Sequence, residues 1–485
     1  MAEATPSGSG GPLVPLEPAT DGDMRIRGGV GGIRFQLEEL MAGAAELEGL
    51  ADELAAVETG VRRIWEELCP YQYDPRPSGT AALIAVGEGG QSVRAVREEL
   101  QHLSSQVRSS RRDYERAESL ATAGIRLPED GWGLLPLLFV DLTQANYPSR
   151  DAAEAVALPV SIMLLGTIAP KEDLARALAA ELAAGRHISA SGAFVRRLTE
   201  NYLPWLEPRP VTAVEELTRD VAVDTSPAGL LARLRELDAD GHGRIEVVQV
   251  ENGGRRAFVV IIPGTQTGGE PPGGSNPLDE AGIAEALGYG SEHVNAAVLS
   301  ALHQAGAVKG DQVVAVGYSQ GGAHAMNLSS DRAFLAEFDL KYVLTAGSPV
   351  GGITPQPGIT SLHLEHRQDW VPGSDGTPNP DTRDRVTVTL TRREVTPPGE
   401  DPGLGPGHKL ANYESGAKAV SASEAPSLVA NTAVLAGVLG AGGAGTTTRF
   451  ALNREPQPAR PVISGPRISY PHPDGRQAMR PAGGR

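Results

Sequence analysis

The stretch Val313-Val314-Ala315-Val316-Gly317-Tyr318-Ser319-Gln320-Gly321-Gly322 constrains this chain more than any other. An apolar, β-branched run reads as a buried strand. It leads directly into Gly-x-Ser-x-Gly, and small residues follow at Ala323 and Ala325. The pattern predicts strand, sharp turn, helix. A serine on such a turn takes backbone angles that side chains avoid. Glycines two before and two after let strand and helix pass in contact. The new helix aims its N-terminus at the serine, where it favours developing negative charge. Ser319 is the only serine in the chain with glycine at both positions.

A serine nucleophile needs a base, and the base needs an orienting acid, met along an α/β-hydrolase chain in the order Ser, acid, His. Four histidines follow the elbow: His363, His366, His408 and His472. The first two belong to Ser361-Leu362-His363-Leu364-Glu365-His366, which reads as a strand. His472 lies in a Pro/Arg/Gly-rich tail. His408, on the loop Gly403-Leu404-Gly405-Pro406-Gly407-His408 before a helix, is the remaining base. Asp369 sits just beyond a strand end and is the candidate acid, with Asp375 a near rival and Glu365 a distant one. Ala257-Phe258-Val259-Val260-Ile261-Ile262 is another buried strand, ending in Pro263-Gly264-Thr265-Gln266. An oxyanion hole needs two N–H groups aimed at one point. Gln320, the residue after the nucleophile, and Thr265 are the expected donors, with Gln266 the alternative to Thr265.

Taken together, Ile262-Pro263-Gly264-Thr265, the serine elbow, Thr345-Ala346-Gly347-Ser348-Pro349-Val350-Gly351, Asp369-Trp370-Val371-Pro372 and His408 resemble a class 3 (fungal-type) lipase. The resemblance covers about residues 245–415. It implies Ser319 as nucleophile, Asp369 as acid and His408 as base, and it matches Tyr413 to a tyrosine on the short helix after the histidine. Three features depart from the family pattern. The Gly347–Gly351 strand end is one residue shorter, His366 replaces the usual asparagine, and the loop after Thr265 is long and Gly/Pro-rich.

Upstream, Ile33, Leu37, Leu40, Ala44, Leu47, Leu50/Ala51, Leu54, Val57, Val61, Ile64 and Leu68 recur at steps of three and four. The spacing predicts one helix of about ten turns ended by Pro70. Val93, Val96, Leu100, Leu103, Val107 and Tyr114 predict a second, and the two should close into an antiparallel hairpin. With Tyr114-Glu115-Arg116-Ala117-Glu118 near its end, the hairpin resembles WXG-type substrates of type VII secretion, which carry a Tyr-x-x-x-Asp/Glu export signal. That resemblance implies export without a signal peptide. Otherwise the hairpin reads as a packing or dimerisation element of a cytoplasmic protein. Either way, residues 33–118 are the expected contact for a helical partner or a second copy.

The whole then reads as an α/β-hydrolase domain with a central, mostly parallel sheet, preceded by an all-α region. Expected boundaries are a disordered N-terminus (1–28), the hairpin (29–120), a helical connector or cap (121–210), the hydrolase domain (211–445) and a disordered tail (446–485). The formal net charge of −17 argues against a nucleic-acid partner. Mean hydropathy is −0.20, and the apolar stretches at 157–169 and 428–443 are too short to span a bilayer. Residues 1–28 lack the basic and apolar regions of a signal peptide. Cys69 is the sole cysteine, so no intrachain disulfide exists, and no Cys/His cluster has zinc spacing. The expected activity is cofactor-free and metal-free hydrolysis of a small-molecule or lipid ester. The other readings are an exported effector carrying the hydrolase as payload, and a catalytically silent scaffold used for binding.

Overall fold

The computed structural model describes residues 19–30, 33–73, 77–123, 192–266, 270–396 and 403–457. Among the described residues the chain is mixed α/β, with a ten-stranded sheet whose first two strands precede a helical region and whose other eight follow it. The strands are β1 (Ala19–Asp21), β2 (Met24–Gly28), β3 (Val211–Val223), β4 (Arg244–Asn252), β5 (Arg255–Ile262), β6 (Gln312–Tyr318), β7 (Asp339–Ala346), β8 (Thr360–His366), β9 (Arg385–Leu390) and β10 (Gly443–Arg454). Their order across the sheet is β1-β2-β9-β8-β7-β6-β5-β4-β10-β3.

The helices α1 (Ile33–Leu68) and α2 (Pro77–Ala123) precede the body. After them come α3 (Gly192–Asn201), α4 (Pro227–Ala239), α5 (Glu280–Gly288), α6 (Glu292–Gln304), α7 (Gln320–Asn327), α8 (Arg332–Glu337), α9 (Leu410–Ala422) and α10 (Pro426–Leu439).

The five strands β5 to β9 run parallel. Crossovers through α5 and α6, and then α7 and α8, make that direction possible. Alternating side chains feed two cores. Val259, Ile261, Val314, Val316, Leu344 and Leu362 face α4, α9 and α10. Phe258, Val260, Ile262, Val313, Ala315 and Val343 face α5 to α8. Burial on both faces explains the unbroken apolar runs that made these strands legible.

The expectation of a mostly parallel sheet is corrected at its margins. Five of the nine pairings are antiparallel, all of them outside this central set. The N-terminus expected to be disordered contributes two strands, and residues 24–28 pair with β9, which is therefore not at the sheet edge. The tail expected from 446 is likewise corrected. Residues 443–454 form β10, inserted between β4 and β3. The 13-residue β3 was not foreseen, because most of its side chains are exposed and show no apolar alternation. The helical pattern of 173–184 and most of the 121–210 connector lie outside the described residues, as does the tail beyond 457.

The two helices form the expected antiparallel hairpin, but Leu50, Val57, Ile64, Val96 and Leu103 of the expected stripes are exposed. Glu48 pairs with Arg108, and Glu58 with Arg94 at 2.8 Å, so α2 descends as α1 rises. Ala44, Ala51, Leu83 and Ser104 are buried in the seam. The second helix begins earlier than the pattern implied, at Pro77, and Tyr114 lies within it, nine residues before its end at Ala123. Among the described residues no single helix is long and apolar enough to cross a membrane.

Candidate active site

Ser319 stands between the end of β6 and the start of α7 with φ 54° and ψ −124°. It is one of two non-glycine residues with positive φ among those described. Such strain costs about 1–3 kcal/mol and persists only where the surroundings enforce it. Here two close approaches enforce it. A Cβ on Gly317 would fall 2.2 Å from the Gly321 carbonyl oxygen, and one on Gly321 would fall 2.1 Å from the Pro263 oxygen. The Ser319 N–H donates to the Ala346 carbonyl at 2.8 Å, tying the turn to β7.

His408 Nε2 lies 3.0 Å from Ser319 Oγ, and its Nδ1 lies 2.7 Å from Asp369 Oδ2. All three residues are buried. The His408 loop is anchored at several points. The Tyr318 hydroxyl donates to the His408 carbonyl, Trp370 Nε1 to the Leu404 carbonyl at 2.9 Å, and Asn412 Nδ2 to the Pro406 carbonyl at 2.7 Å. Gly407 makes the approach possible, because a Cβ there would sit 2.8 Å from the Asp369 nitrogen.

Asp369 accepts three hydrogen bonds. His408 Nδ1 and the Tyr413 hydroxyl reach Oδ2, and the Val371 N–H reaches Oδ1 at 2.9 Å. Burial, with the Asp369 charge second, holds the phenols of Tyr318 and Tyr413 well above their usual range. Both stay protonated and act as donors.

The rival acids are elsewhere. Asp375 accepts the N–H groups of Gly352 and Thr377 at 3.1 and 3.2 Å, and Glu365 accepts from Asn379 at 2.6 Å. Burial pushes the Asp375 carboxyl up to about 6. His363 bonds Thr345 and Ser361, and His366 accepts the Gln368 N–H.

Thr265 and Gln320 meet beside the elbow: the Thr265 hydroxyl donates to Gln320 Oε1 at 2.9 Å. Gly264 stands against the serine, where an added Cβ would lie 3.2 Å from Ser319 Cβ. Gln266, the alternative donor, is already committed. Its N–H donates to the Leu278 carbonyl at 2.8 Å, and its side chain accepts from Gly243 N at 2.6 Å.

Two contributors escaped the sequence reading. Tyr318, the residue before Ser319, holds the His408 loop. His324 accepts from the Gln320 amide at 3.2 Å. The available signal was spacing, since His324 follows Gln320 by one helical turn on α7.

The arrangement can transfer a proton from a hydroxyl to an imidazole held by a buried carboxylate, beside a helix N-terminus that favours an anion. Comparison with known protein families, with curated proteins and with solved structures finds no match.

Proposed function

We propose that the chain is a serine hydrolase of carboxylic esters built on an α/β-hydrolase body, similar in its motifs to class 3 lipases. The observation that carries this reading is the unbroken line Ser319 Oγ–His408 Nε2 (3.0 Å) and His408 Nδ1–Asp369 Oδ2 (2.7 Å) on a strained elbow. In this reading His408 takes the Ser319 proton as Oγ attacks the ester carbonyl. The Thr265 and Gln320 amides receive the oxyanion, the alcohol leaves with the proton from His408, and water then releases the acid. A small-molecule or lipid ester is the proposed substrate, and the residues named need no cofactor or metal.

The test is labelling with a fluorophosphonate probe, together with turnover of p-nitrophenyl esters of graded chain length. Labelling confined to Ser319, with turnover abolished in Ser319→Ala, supports the proposal. Absence of both sinks it in favour of a silent scaffold used for binding.

A second reading concerns the hairpin. Leu50, Val57 and Ile64 recur every seven residues on α1, Val96 and Leu103 do so on α2, and each is more than 40% exposed. In the register set by Glu48–Arg108 and Glu58–Arg94, Leu50 falls level with Leu103 and Val57 with Val96. They form one apolar line rimmed by the exposed Glu46, Glu53 and Glu99. The acidic rim repels a second copy and suits an amphipathic helix whose apolar stripe is flanked by Lys or Arg. The hairpin is therefore proposed as a dock for such a helical partner, consistent with an exported effector. A synthetic helix of that pattern should bind the full chain, and Val57→Glu should weaken binding at least tenfold by fluorescence anisotropy. Equal binding of an acid-flanked helix would refute the charge argument.

A further inference from the structure

The Gln320 side chain is held on three sides. Its Oε1 accepts the Thr265 hydroxyl at 2.9 Å, and its Nε2 donates to His324 Nε2 at 3.2 Å. On the third side is Gly282 of α5, where an added Cβ would lie 1.9 Å from Gln320 Nε2. An amide nitrogen only donates, so His324 Nε2 accepts and its ring proton sits on Nδ1. Nδ1 in turn donates to Ser291 Oγ at 2.7 Å. Asn327 Nδ2 donates to the same oxygen at 2.8 Å and to the Ala286 carbonyl at 2.9 Å. Ser291 is itself fixed in the left-handed region, at φ 62°, between α5 and α6. Gln320, His324, Ser291 and Asn327 are all buried.

The chain of bonds therefore has one direction and two fixed ends. It begins at the hydroxyl of Thr265, on the loop after β5, and ends on the α5–α6 junction. Thr265 and Gln320 belong to segments that pack closely, with Pro263 against Gly321 and Gly264 against Ser319, and the Thr265–Gln320 bond is the side-chain link between them at the site; an oxyanion hole depends on the separation of its two N–H groups.

We infer that His324 is a positioning residue for the oxyanion hole: by holding the Gln320 amide it sets where Gln320 and, through the Thr265 hydroxyl, Thr265 present their N–H groups. This rests on the hydrolase reading and adds to it a residue that touches neither substrate nor nucleophile. Burial, with the Arg454 charge second, keeps the ring neutral by lowering its pKa to about 3. The acceptor on Nε2 therefore persists across the working pH range.

The experiment uses the full chain with His324→Phe, His324→Gln, Thr265→Val and Thr265→Ser. Wild-type, His324→Phe and Thr265→Val proteins are compared for kcat, KM and affinity for an alkylboronic acid. The boronate forms a tetrahedral adduct on Ser319 and places an oxygen in the hole. Displacing rather than deleting a donor should lower kcat about 10- to 100-fold, with KM nearly unchanged and boronate affinity falling in parallel. His324→Gln retains an acceptor and Thr265→Ser retains the hydroxyl, so both should recover most of the loss. A merely structural role would lower stability without this split. If His324→Phe fails to fold, the near-isosteric Thr265→Val at its partly buried site still decides the matter. Unaltered kcat and boronate affinity in Thr265→Val, with an active wild type, overturn this inference alone. A wild type inert toward every ester overturns the hydrolase reading and this inference with it.

Discussion

Tyr413→Phe removes one oxygen from the core and tests how the Asp369 carboxylate, the proposed acid, is held. Asp369 is fully buried, and its partners are the Val371 N–H at 2.9 Å, His408 Nδ1 at 2.7 Å and the Tyr413 hydroxyl. Phenylalanine keeps the ring, including its packing beneath Gly347, and takes away one of three donors. A hydrogen bond to a charged group contributes about 1.5–3 kcal/mol, and no other donor can replace this one at a closed site. The loss should lower stability by about 2 kcal/mol, a fall in Tm of roughly 4–8 °C for a domain of this size. The effect on kcat should be far smaller than that of Asp369→Asn, which costs about 10⁴ in such a triad because it reverses the histidine tautomer. With His408 still bonded to Oδ2, about a tenfold loss is expected, shared equally by kcat and kcat/KM. Calorimetry and p-nitrophenyl ester kinetics read the two effects separately. An unchanged Tm together with unchanged kcat would refute the reasoning, because the bond would then contribute nothing. A 10⁴-fold loss would also refute it, by giving the phenol a chemical role.

Gly321→Ala should destabilise the chain by more than about 3 kcal/mol in urea unfolding, because its Cβ would lie 2.1 and 2.3 Å from backbone oxygens that cannot move aside. Gly49→Ala, with nothing within 4 Å on α1, should instead stabilise the hairpin by up to about 1 kcal/mol. Asp375→Asn should leave kcat nearly intact while Asp369→Asn does not, and equal losses would return the acid's role to Asp375. His324, held near pKa 3 by burial, contributes stability that is full above the ordinary histidine value of 6.5 and lost as pH falls toward 3. His324→Gln should therefore flatten the acid limb of a stability–pH curve in that window by up to about 1.4 kcal/mol per pH unit.

What the sequence revealed, and what it hid, follows from burial. Strands β5 and β6 are enclosed on both faces, so their residues form apolar runs that name the strand and the turn after it. Ser319, Asp369 and His408 were each placed by a local signal: the elbow glycines, a strand end, a Gly/Pro loop before a helix. The choice of Asp369 over Asp375 was not local. It depends on Gly407 letting the base loop lie on the Asp369 backbone, a contact between segments about 40 residues apart. The Gln320–His324–Ser291 line was hidden for the same reason, because Ser291 reaches it from another crossover. The hairpin seam was legible by its period of three and four. The apolar line beside it shares that period and is told apart only by exposure.

The C-terminal strand is where the sequence misled most, and it carries the sharpest remaining test. Residues 443–454 follow an Ala/Gly run and show three threonines before any large apolar side chain, so they read as the start of a tail. Only Phe450 and Leu452 reach the core, too few to mark a strand. Yet among the described residues β10 is the sole partner of β3, and it covers the edge of β4. Its last residue matters as much as its pairing. Arg454, almost fully buried, donates to Asp279 Oδ1 at 2.8 Å and Oδ2 at 3.0 Å. Asp279 accepts the N–H groups of Ala281 and Gly282 at the start of α5, the helix whose Gly282 makes room for the Gln320 amide. Removing one member of a buried pair costs about 3–5 kcal/mol, because the other charge is left unpaired. A chain ending at residue 445 should therefore be insoluble or unfolded, whereas one ending at residue 457 should keep its ester turnover. Arg454→Met separates pairing from position: β10 remains, Asp279 loses its cation, and Tm should fall by several degrees with a loss of kcat. A soluble, fully active chain ending at 445 would show that β10 is dispensable, and that α5 holds the Gln320 pocket without it.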